Sequence, residues 1–104
     1  MRDPGSEKQA GERTIGVPWY AREGYPEILA TMEDAHTLAP IYDHWLAAAE
    51  NNEAEARRVG IRVVRVPIDA ATFMRWCADR GSPCTRAARL EYVNEWMRRG
   101  AGDE

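Results

Sequence analysis

The side chains best suited to chemistry fall into three groups. The first is His36, His44, Cys77 and Cys84, which together match the composition of a Cys2His2 zinc site. Their spacing does not match. Six residues separate the cysteines and seven the histidines, whereas zinc-binding pairs usually enclose about two to four and three to five. Cys77 follows Trp76 on an apolar stripe, where a thiol packs as a small hydrophobe. No metal and no cofactor is therefore expected. The second group is Trp19-Tyr20-Ala21-Arg22-Glu23-Gly24-Tyr25, with Asp43-His44 further on. General acid–base work needs two titratable groups held at one substrate atom, and this spacing does not require them to converge. There is no nucleophile elbow, phosphate loop, HExxH or dinucleotide fingerprint. A non-enzymatic chain is favoured, with Trp19, Tyr20 and Tyr25 anchoring the first segment and Arg22 and Glu23 a solvated pair.

The third group is the arginines, 13 of them against one lysine. The formal net charge of −3 hides a division. Residues 15–56 carry one base and eight acids, a balance of −7, and residues 57–99 carry ten bases and four acids, a balance of +6. The halves can neutralise each other, or the basic half can meet an acidic protein, a second copy, or phosphate. Arginine and tryptophan are frequent anchors of binding surfaces. Arg62, Arg65, Arg86 and Arg89, with Trp96, are the expected partner-binding residues. The alternative is nucleic-acid binding by a helix-turn-helix-like pair over 70–99, with Thr85, Arg86 and Arg89 at the start of its second helix. An acidic chain is a poor electrostatic match for that role.

These residues need elements to hold them. Ile15 to Tyr20 reads as a short strand that Pro18 restricts to an edge. Pro26 and Pro40 suit helix starts. Ile41, Trp45, Ala48, Ala49, Asn52 and Ala56 fall on one face of the second helix, Glu53 and Arg57 pair at i,i+4, and Gly60 stops it. Ile61 to Ile68 is the clearest strand. Asp69 is placed to cap a third helix that Gly81 ends. Ser82-Pro83 predicts the start of a fourth, with Gly100 as its end. The expected fold is a small single α+β domain, about four helices covering one face of a short two-stranded antiparallel sheet, over 15–99. Residues 1–14 and 100–104 are expected to be disordered tails.

Composition narrows the class further. One domain fits in 104 residues, no run suits a membrane span, and the N-terminal stretch has no apolar core of a signal peptide. Two cysteines make no disulfide scaffold, so a cytoplasmic protein is expected. The runs WYAREGY (19–25), YDHWLAAAE (42–50) and RVPIDAATFMRWC (65–77) resemble small, roughly hundred-residue uncharacterised proteins of proteobacteria. The resemblance implies a stand-alone bacterial cytoplasmic protein and no activity. The resulting expectation is a binding or regulatory module that meets a protein partner or itself, by a homodimer through a strand edge.

Overall fold

The computed structural model describes residues 13–103. The expected N-terminal tail lies outside them except at its last two residues, and Thr14 opens the first strand. The chain runs β1 (Thr14–Trp19), α1 (Tyr25–Thr31), a 3-10 turn (Ala35–Thr37), α2 (Tyr42–Arg58), β2 (Arg62–Pro67), α3 (Ala70–Arg80) and α4 (Arg86–Asp103). This is an α+β domain with four helices and one two-stranded sheet. No helix among the described residues is long and apolar enough to cross a membrane.

The sheet corrects the expected topology. The strands are parallel, with Thr14 opposite Arg62 and Trp19 opposite Pro67. The intervening chain explains why. An antiparallel partner would start beside Trp19, where β1 ends. Instead α2, 17 residues long, spans about 25 Å and undoes the roughly 20 Å travelled by a six-residue strand. Its first turn meets the end of β1 through Trp19 and Trp45, whose rings lie 5.2 Å apart. Its far end then delivers β2 beside the start of β1.

Helices cover both faces of the sheet rather than the single face expected. Trp19 and Arg65 belong to one side-chain face, and they touch Trp45 and Glu53 of α2. Gly16 belongs to the other, where α4 approaches so closely that a Cβ would sit 2.8 Å from Met97 Cγ and Val93 Cγ1. Only glycine leaves room for that approach. The core contains Tyr20, Tyr25, Ile28, Val66, Phe73 and Val93.

Local chemistry explains both ends of α3. Asp69 caps α3 by accepting the Thr72 N–H at 3.0 Å. Gly81 ends it with φ +64°, its N–H reaching Ala78 and the Ser82 N–H reaching Cys77, a left-handed exit that favours glycine. Three expected ends differ. Pro40 precedes α2, whose N-cap is Ile41, and α4 begins at Arg86 and runs through Gly100 to Asp103. Ser82 is not its cap, since the Ser82 hydroxyl turns to the Pro83 carbonyl.

Candidate functional site

The start of α4 is held from the other half of the chain. Asp34, just before the 3-10 turn, accepts the Arg86 N–H at 2.9 Å with one carboxylate oxygen. With the other it accepts Arg89 Nη1 at 3.1 Å. Burial alone would raise the Asp34 pKa, but the Arg86 N–H and the Arg89 guanidinium hold it below the ordinary aspartate value. Arg89 is 5 % exposed. Its guanidinium is thus committed to an internal ion pair with Asp34.

A second charged residue is buried on α2. Glu53 is 5 % exposed and accepts Arg65 Nε at 2.8 Å and Arg65 Nη2 at 2.7 Å, a two-pronged pair. Arg57 reaches it at 3.4 Å, the expected i,i+4 contact. The Arg65 hydrogen bonds hold the Glu53 carboxyl below its ordinary value against the opposing effect of burial. The same guanidinium lies 3.9 Å from the centre of the Trp19 ring, so Arg65 is held from both sides.

Between these two charged pairs lies a cleft of about 450 Å³. Its floor is β1 from Ile15 onward. One wall is the small-residue face of α2, with Ala48, Ala49 and Ala56, and the other is the start of α4, with Arg86, Arg89 and Leu90. Leu38 closes one end. The α2 stripe read from the sequence is therefore only partly packed. Its alanines are too short to reach the strand, and Trp45 fills the space only at the Trp19 end. The volume falls within the usual range of ligand sites, about 300–1,000 Å³.

The structure divides the expected partner-binding residues. Arg86 and Arg89 line the cleft. Arg65 borders it through Glu53 and Trp19. Arg62 is exposed at the start of β2. Trp96 lies elsewhere, in a 260 Å³ hollow with Trp76, Tyr92 and Arg99 between α3 and α4. For the nucleic-acid alternative, Arg86 is exposed and Thr85 partly so, while Arg89 turns inward.

Trp19, Tyr20 and Tyr25 all pack against α2. Tyr20 and Tyr25 are buried and cluster with Tyr42 and Trp45. The Tyr25 hydroxyl donates to the Ala39 carbonyl at 2.6 Å and the Tyr42 hydroxyl to the Tyr20 carbonyl at 2.9 Å. Burial pushes the Tyr20 phenol up to about 12, which keeps it protonated. Arg22 pairs with Asp43 at 2.8 Å and lies over the Tyr42 ring rather than joining Glu23. Cys77 and Cys84 are both buried and unpaired as a disulfide. Burial and the adjoining Cys84 thiol push Cys77 up, away from the thiolate a nucleophile needs. Among the described residues no three histidines, cysteines or carboxylates gather as a metal-binding group.

Sequence reasoning did not single out Asp34, Leu38 or Gly16. A buried arginine implies a carboxylate partner, but nothing local selects one acid from 17. Comparison with protein-family models, with curated proteins and with solved structures returned no match to this chain.

Proposed function

We propose that this chain is a non-enzymatic binding module, and that its protein partner docks in the cleft between β1, α2 and the start of α4. One observation carries the reading. The cleft combines an apolar floor with a rim cation, and the side chains around it are fixed by two internal ion pairs. Preorganisation of that kind lowers the ordering cost of association. The chemistry around the cleft suits binding better than catalysis. Glu53 and Asp34 are each held in their charged forms by arginines, so neither is poised to exchange a proton near neutral pH.

A protein partner is favoured over nucleic acid because a helix reading a groove needs several free side chains at its start. Here Arg89 is committed to Asp34. The test is site-directed photo-crosslinking in the source cell. Benzoylphenylalanine at Ala48 or Leu90, both exposed on the cleft walls, is expected to give the same discrete protein adduct. The probe at Ala78, exposed on α3 outside the cleft, is expected to give none. Equal adducts from all three positions, or adducts to nucleic acid, overturn the assignment.

A further inference from the structure

Resting on that reading, the backbone of β1 specifies how the partner binds. The Arg62 N–H donates to the Arg13 carbonyl at 2.8 Å and the Ile68 N–H to the Trp19 carbonyl at 3.0 Å. In a parallel ladder the backbone groups alternate in direction along each strand. Odd-numbered residues of β1 therefore face β2, and Gly16 and Pro18 present their backbone groups to the open edge. Gly16 offers a donor and an acceptor, and Pro18 an acceptor alone. Both residues line the cleft. An open strand edge is a template for another strand, and this one lies between the alanine face of α2 and a wall of α4 that carries Leu90 and two arginines.

We infer that the partner contributes an extended segment that adds to the edge of β1 as a third strand, with apolar side chains in the cleft and a carboxylate on Arg86. The carboxylate follows from charge. Three charged residues line the cleft. Glu53 is neutralised by Arg65 and Arg57, and Arg89 by Asp34. The exposed Arg86 guanidinium has no ion-pair partner among the described residues, which leaves one unanswered positive charge at the rim. A second copy of this chain is a poorer occupant. Its own β1 edge lies between the same two helical walls, which meet the first copy's walls before the strands can pair. A slender segment enters where a walled strand does not.

The experiment pans a phage-displayed library of random dodecapeptides against the full chain, then measures synthetic winners by fluorescence anisotropy. Enriched peptides are expected to share an acidic residue beside β-branched or aromatic ones. The exposed-site substitution R86E is expected to weaken them by about tenfold or more, and a peptide with lysine for the acid to regain affinity for R86E. N-methylation at alternate peptide residues, those whose N–H faces β1, is expected to abolish binding, and methylation of the other set to spare it. A48W, on an exposed wall position, is expected to block binding with the fold intact by circular dichroism. Peptides lost on A48W but indifferent to which residues are methylated overturn strand addition and leave the cleft reading standing. Peptides indifferent to A48W overturn both. A library without consensus, or a dimer by light scattering that A48W dissolves, overturns the peptide-binding inference.

Discussion

Among the described residues two charged side chains, Glu53 and Arg89, are buried, and their environments differ from those of the surface pairs. Arg22 and Asp43 are more than 60 % exposed, and a pair like that gains little over its hydration. Arg89 and Asp34 are 6 % and 21 % exposed, and removing one charge strands the other. D34N should therefore cost about 1–3 kcal/mol of stability, because it leaves the Arg89 guanidinium buried without a counter-charge and weakens the acceptor for the Arg86 N–H. D43N should leave the urea midpoint where it is. Urea unfolding of the two variants beside wild type checks both. An equal shift for both would mean that Asp34 acts only as a surface charge. The contrast also bears on the cleft, since Asp34 fixes the wall that carries Arg86.

The elements show where local sequence decides structure and where it does not. The start and end of α3 were legible because Asp69 and Gly81 act within one turn of themselves. The start of α4 was not, because its acceptor is Asp34, 52 positions away, and it supplants the local Ser82-Pro83 signal. Strand direction was hidden for a different reason. The alternation of Val63, Arg65 and their neighbours is the same in parallel and antiparallel pairs, and direction follows from the length of α2. The cleft was half visible. The face of α2 was legible as a stripe, but that its alanines stop short of β1 depends on the spacing between elements. Gly16 drew no reading of its own from the sequence, yet it is what lets α4 pack. G16A should cost about 1–3 kcal/mol as an overpacked contact, since Met97 and Val93 both stand 2.8 Å from the new methyl carbon. M97A should relieve part of that cost, so a double-mutant cycle in urea should show a favourable coupling between the two substitutions. Additive costs would mean that α4 does not rest on Gly16.

At the scale of the whole molecule, the −7 and +6 halves of the sequence meet inside one domain. Asp34 and Glu53 belong to the acidic half, and Arg89, Arg57 and Arg65 to the basic half. The acidic half thus answers Arg89, and among the described residues Arg86 is left at the cleft rim without an ion pair. The same division sets the response to acid. Both carboxylates have folded-state pKa values held below their ordinary ones, Asp34 by the Arg86 N–H and Arg89 against the opposing effect of burial and Glu53 chiefly by Arg65. The unfolded chain therefore binds protons more readily through the carboxylate range, and stability rises with pH there. The contribution is fully present above the unfolded-state values near about 4, and it is lost as pH falls toward the folded-state values. Wild type should accordingly hold a steady urea midpoint from neutral pH down to about 5 and lose it steeply below about 4. D34N and E53Q should each begin from a lower midpoint and fall less steeply, because each lacks one of the carboxylates whose protonation drives the loss. Measuring the midpoint from pH 7 to pH 3 for the three proteins decides the matter. Parallel acid profiles would show that the two halves are joined by packing alone, and that the arginines around the cleft are not held by charge.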